Sequence, residues 1–196
     1  MPAQIIEDFR KHLCKTVPLG ESDWEYIKPY FKVHHYLKKE ALIVSGDKWN
    51  NYAVVMKGCF RHCFLNRNGQ ESVISFFLEY NWIGDNESLT SRQPSGFKIE
   101  ALENSYVIVI DKSDFATLSY QVPVLREVLR NWRYTNFISC QYQIHVTHTL
   151  TALEKYRHFL KSQPELLLRI PHRMIASYLG VNPETLSRVR RKTCRI

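Results

Sequence analysis

No stretch of eighteen consecutive apolar residues occurs anywhere in the 196-residue chain. A membrane-spanning helix is therefore not expected. The amino-terminal segment MPAQIIEDFRKHLCK is amphipathic and charged; it lacks the apolar centre and small-residue cleavage site of a secretory leader. A cytoplasmic location follows as an expectation. Cysteine is sparse and scattered, at Cys14, Cys59, Cys63, Cys140 and Cys194, with no CxxC spacing. Neither a disulfide framework nor a structural zinc site is expected from that pattern. Cys59 and Cys63 stand four residues apart, which on a strand places both on one face, as plain packing would. Internal repeats and low-complexity linkers are also missing.

Acidic residues are scarce where the chain ends. Residues 151–196 carry ten Lys/Arg against three Asp/Glu, a net +7 out of the chain's total of +8. This asymmetry is the electrostatic footprint of a nucleic-acid-binding module. A solvated basic tail would lack the regular apolar periodicity that the same segment shows.

The first thirty residues read as helical, with Ile5, Ile6, Phe9 and Leu13 on one stripe. From about Val33 to Ile110 short β-branched and aromatic runs alternate with turn signals at Gly46, Gly58 and Gly84. Asn68-Gly69 marks a hairpin. Short antiparallel strands at this spacing predict a jelly-roll or sandwich. Between Val124 and Thr147 neither proline nor glycine occurs. A helix of that span is about 36 Å long and outruns a small barrel. Its apolar seam, Leu125, Val128, Leu129 and Trp132, is expected to meet a second copy of the chain. A further helix, TLTALEKYRHFLKSQ, stops before Pro164.

The segment IPHRMIASYLGVNPETLSRVRRK then breaks at Gly180 and restarts at Pro183. Gly180 suits a left-handed helix end, Asn182 an N-cap, Pro183 the first helical position and Glu184 the positive end of the dipole. Ile175, Leu179, Val181, Leu186 and Val189 are then expected inside, and Ala176 where the helices cross most closely. This is the pattern of a helix-turn-helix. Pro183, Glu184, Ser187 and Arg188 face outward near the start of the second helix, where base edges of double-stranded DNA come within reach. Arg173, Thr185, Arg190, Arg191 and Lys192 are placed for phosphates.

The order of roll, long helix and carboxy-terminal helix-turn-helix resembles the Crp/Fnr family of bacterial transcription regulators. IASYLGVNPETLSRVRRK is similar to the family's recognition segment, whose Glu-Thr pair and following Arg fall on Glu184, Thr185 and Arg188. Pro183 stands where relatives often have a further arginine. FFLEYNWIGDNESLTSRQPSGFKIEALENSYVIVI is similar to the family's cyclic-nucleotide cassette. The resemblance implies an effector pocket around Gly84, Asp85, Asn86, Glu87, Ser88 and Ser95, in degenerate form. Asp85 replaces the family's glutamate, and Pro94 stands where the phosphate-clamping arginine belongs. A cyclic phosphate there lacks its charge-assisted partner, which argues against cyclic AMP. Cys14 alone does not supply an iron–sulfur cluster. His34, His35 and His62 read as surface or strand histidines rather than haem ligands. His145 and His148 have metal-like spacing but no third ligand.

The expected architecture is therefore α+β. A jelly-roll with its amino-terminal helix (1–120) leads to a dimerisation helix (121–147) and a helix-turn-helix unit (148–196) whose wing is reduced or absent. The expected protein is not an enzyme and holds no metal or cofactor. It binds inverted-repeat DNA as a homodimer, and the resemblance implies RNA polymerase as a partner. Two other classes compete. A cupin-like metalloenzyme would need several clustered His/Glu ligands, and a ligand sensor acting on proteins would carry a degenerate helix pair.

Overall fold

The structure is a computed structural model, described for residues 2–65 and 71–193. The Asn68-Gly69 hairpin and Cys194 lie outside the described residues. Helices α1 (Pro2–Thr16) and α2 (Glu21–Ile27) precede eight strands: β1 (Lys32–Tyr36), β2 (Ala41–Ile43), β3 (Asn51–Lys57), β4 (Phe60–Leu65), β5 (Glu71–Phe77), β6 (Trp82–Ile83), β7 (Phe97–Ala101) and β8 (Ser105–Asp111). A short helix, α3 (Asn86–Ser91), lies between β6 and β7. The strands form two antiparallel four-stranded sheets, ordered β1-β8-β3-β6 and β2-β7-β4-β5. This is the expected roll. Except for the β4-β5 hairpin, each strand is followed by one in the other sheet, and the buried side chains of the two sheets fill the space between them.

Five helices and a single helical turn complete the described chain: α4 (Lys112–Gln121), α5 (Val124–Thr149), α6 (Ala152–Ser162), the turn α7 (Leu166–Arg169), α8 (His172–Leu179) and α9 (Pro183–Thr193). Among the described residues no strand follows β8, and no helix is long and apolar enough to cross a membrane. Helix α6 begins with a capping box: Thr151 accepts from the Glu154 N–H, and the Glu154 carboxylate accepts from the Thr151 N–H. Two orphan donors are thereby satisfied in an exposed position.

Among the described residues, two apolar clusters hold the fold. The first fills the roll and includes Phe9, Leu13, Trp24, Val55, Ile99, Ile108 and Phe115. It also takes in the first half of α5. Leu125 and Val128 are buried in it, Leu129 and Trp132 pack against it, and the Trp132 ring lies 5.5 Å from Trp82 and 6.2 Å from Tyr52. The seam expected to meet a second chain is thus covered by the chain's own roll. The roll exposes an apolar edge at Tyr52 and Trp82, and the nearest helix covers it.

The second cluster joins Phe159, Leu166, Ile175, Ala176, Leu179, Leu186 and Val189 to Cys59, Cys63, Val73 and Phe76. A helical unit of roughly 50 residues buries too little surface to stand comfortably alone. It completes its core against the outer face of the β2-β7-β4-β5 sheet. The two cysteines are packing residues of that contact, and burial pushes the Cys59 thiol up to about 12.

Candidate nucleic-acid interface

Helix α8 ends at Gly180, whose φ of +63° is the left-handed conformation that glycine adopts without strain. The Val181 N–H donates to the Ala176 carbonyl (3.0 Å) and the Gly180 N–H to the Ser177 carbonyl (3.1 Å), the paired bonds of a Schellman turn. Asn182 then accepts from the Glu184 N–H at 2.9 Å, capping α9 in the expected way. Ile175 and Ala176 are fully buried, Leu179 and Leu186 nearly so, and Val181 packs beside them. The two helices are therefore clamped through one small apolar seam, with Ala176 at the crossing.

The polar side of α9 points outward. Pro183, Glu184, Ser187 and Arg188 are exposed along one side of α9, with Arg190, Arg191 and Lys192 exposed in its last turn. The Arg188 guanidinium rests against the Thr185 hydroxyl at 3.2 Å, and Arg190 against the His172 ring. Thr185 is half-buried, and Arg173 is exposed in the first turn of α8. The arrangement presents one carboxylate among several guanidiniums on a convex helix face. Such a face can enter a major groove, accept from cytosine N4 and donate to guanine O6 and N7.

Sequence reasoning did not anticipate how this unit is held to the roll. Arg169, on α7, donates to both Glu79 carboxylate oxygens (2.9 and 2.8 Å) and pairs with Glu103. Glu79 also accepts from the Gly58 N–H at 2.9 Å. Burial raises the Glu79 pKa, but the Arg169 and Gly58 hydrogen bonds outweigh it and bring it down to about 2. Nearby, Ser177 of α8 accepts from the Val73 N–H of β5 at 2.9 Å. On the sheet, Arg61 bridges Glu71 (2.6 Å) and Glu100 (2.9 Å), and Lys98 pairs with the same two carboxylates. A single arginine in PELLLRIP carries no periodicity, so its partners more than sixty residues away left no local signal.

In the roll, the residues of the candidate effector pocket are brought together but largely occupied. Asp85 is buried and caps α3 through the N–H groups of Glu87 (2.8 Å) and Ser88 (3.1 Å). The Ser88 hydroxyl accepts from the Trp49 N–H (2.9 Å) and donates to the Gln93 carbonyl (2.6 Å). Buried Ser95 bonds Phe97. Gly84, at φ +146°, lies where an added Cβ would come within 2.5 Å of the Trp49 indole nitrogen. Asn86 and Glu87 are exposed, as is Arg92, which closes α3 in the left-handed conformation.

His62 stands on β4, the strand position expected of it. Its ring lies between Phe97 (4.6 Å) and Phe77 (5.9 Å), and its Nε2 is buried without a hydrogen-bond partner. Burial lowers its pKa to about 4, against a smaller opposing influence from Asp85. His34 and His35 are exposed on β1.

Comparison with known proteins bears on both halves. Residues 33–120 match the family model of the cyclic nucleotide-binding domain. The chain is 25% identical over 189 residues to the anaerobic regulatory protein of Haemophilus influenzae, covering 90% of this chain and 73% of that protein. It is 26% identical over 189 residues to the transcriptional activator protein Anr of Pseudomonas protegens, covering 90% and 77%. Among solved structures, FixK2 from Bradyrhizobium japonicum superposes with a TM-score of 0.72 at 19% identity over 83% of each chain. That likeness establishes the fold.

Proposed function

We propose that this chain, which belongs to the Crp/Fnr family of transcription regulators, is a homodimeric, sequence-specific DNA-binding regulator that does not respond to cyclic AMP. It acts in the cytoplasm on inverted-repeat operators and communicates with RNA polymerase. The observation that carries the reading is the outward face of α9. Glu184 and Arg188 are exposed at the start of a capped helix whose other side is fully committed to packing. Pro183, Glu184, Ser187 and Arg188 read bases, and Arg173, Thr185, Arg190, Arg191 and Lys192 hold phosphates. Residues 1–120 form an effector-type unit, 121–147 a connecting and dimerising helix, and 148–196 the DNA-binding unit.

The dimer forms through the far side of α5. Its inner seam is spent on the roll, whereas Tyr134, Phe137, Ile138 and Ile144 are exposed on the distal half. A two-fold related pair then presents its recognition helices about 34 Å apart, one turn of DNA. Cyclic AMP is disfavoured for two reasons. Pro94 is exposed where a guanidinium would be needed, and the Ser88 and Ser95 hydroxyls are already hydrogen-bonded within the chain.

Selection from a randomised operator library tests the DNA reading. Arg188→Ala should relax preference at one base position and cost about 1–3 kcal/mol per half-site. Glu184→Ala should relax a different position. Lys192→Ala should weaken all sequences alike and make the salt slope shallower by about one. Uniform weakening by Arg188→Ala, with preferences unchanged, would refute major-groove reading by α9. Saturable cyclic AMP binding in calorimetry would refute the effector statement alone.

A further inference from the structure

Helix α5 has an outward seam with its own register. Tyr134, Ile138, Gln141, His145 and His148 follow one another at alternating spacings of four and three, and all five are exposed. Phe137 and Ile144 flank them, also exposed. This is the spacing by which two parallel helices interlock. Toward the amino end of the helix the exposed residues are Arg126, Glu127, Arg130, Asn131 and Arg133, so the apolar seam is confined to the distal half. Its last two rungs are imidazoles.

Two histidines do not make a metal site. Among the described residues of one chain no group of three or more His, Cys, Asp or Glu side chains comes together. A parallel two-fold dimer doubles the pair. We propose that the homodimer holds one divalent transition-metal ion of the zinc class on its two-fold axis, ligated by His145 and His148 of both copies. The inference rests on the dimer reading above, because the site is incomplete in one chain.

The chemistry suits this placement. Residues three apart on a helix differ by about 4.5 Å along its axis, so the four imidazoles form two adjacent layers around one point. Four nitrogen ligands satisfy tetrahedral zinc, and imidazole is a preferred donor for the late first-row ions. Without an ion, two stacked imidazole layers on a buried seam leave polar nitrogens needing partners, at a cost that apolar residues would avoid. A supporting group is already present. The Thr149 hydroxyl donates to the His145 carbonyl at 2.7 Å and lies 3.5 Å from His145 Nε2. Its lone pair can accept from Nε2–H, which leaves Nδ1 to bind the ion, the outer-shell arrangement usual for ligating histidines. The ion would clasp the helices just before α6 departs at Ala152 toward the DNA-binding unit.

The test uses the full-length protein, stripped with a chelator and titrated with Zn2+ in a calorimeter, with mass followed by sedimentation. Saturation at one ion per two chains is expected, and Co2+ should give the visible bands of a tetrahedral site. His145→Ala and His148→Ala should each weaken binding at least about tenfold. Both side chains are exposed in the single chain, so the variants should keep the wild-type circular dichroism. A dimer that takes up no zinc, or whose uptake is unchanged in the double variant, overturns the metal site and leaves the dimer standing. A wild-type protein that sediments as a monomer with or without Zn2+ overturns both.

Discussion

Replacing Arg169 with alanine removes the clasp between the helical unit and the roll. The guanidinium makes two hydrogen bonds to Glu79, at 2.9 and 2.8 Å, and a third to Glu103. Its loss leaves two carboxylates facing one another, with the Gly58 N–H still donating to Glu79. The native contacts hold the Glu79 pKa at about 2 rather than 4.5. At full value that difference corresponds to about 3 kcal/mol. The Glu79 side chain is 34% exposed, however, and solvent screening reduces the expected contribution to about 1–2 kcal/mol. The sign is fixed by the direction of the shift. A carboxylate with a depressed pKa stabilises the fold fully above its ordinary value, and that stability is lost as pH falls from 4.5 toward 2. Urea unfolding should therefore show Arg169→Ala less stable by about 1–2 kcal/mol at pH 7, with a shallower decline below pH 4.5 than wild type. An unchanged midpoint at pH 7, or an acid slope equal to that of wild type, would refute the reasoning.

His62 titrates in a separate window: its pKa in the fold is about 4 against 6.5 in the open chain, so stability should fall by up to about 3 kcal/mol as pH drops between those values. An NMR titration of its ring with a midpoint near 6.5 would contradict this. Gly84→Ala should cost about 1–3 kcal/mol in thermal unfolding, because the methyl group meets the Trp49 indole at 2.5 Å in a backbone conformation that suits glycine. On α5 the two faces should separate cleanly. Trp132→Ala, which removes a ring packed on Tyr52 and Trp82, should destabilise the folded chain by about 3 kcal/mol, whereas Phe137→Asp should spare stability and dissociate the dimer in sedimentation.

The local code reached far in this protein. Gly180, Asn182 and Pro183 act through backbone preferences that belong to the residues themselves, so the helix-turn-helix and its inward set, Ile175, Leu179, Leu186 and Val189, were legible without coordinates. The alternating runs from Val33 to Ile110 announced the roll for the same reason, since strand periodicity is written residue by residue. Helix α5 shows where such reading stops. Periodicity said that Leu125, Val128, Leu129 and Trp132 share a face; whether that face meets a second chain or the chain's own roll depends on what lies opposite after folding. The distal residues Tyr134, Phe137, Ile138 and Ile144 were left exposed. The joint between roll and helical unit was equally illegible. Arg169 finds Glu79 and Glu103, 90 and 66 residues earlier, and Cys59 and Cys63 join the cluster of Phe159 and Ile175, only once the chain between them has folded back. Propensities and caps are properties of short segments, and the sequence by itself determined them. Which apolar face is spent, and which ion pairs close, are decided by long-range proximity, and tertiary packing alone supplies that.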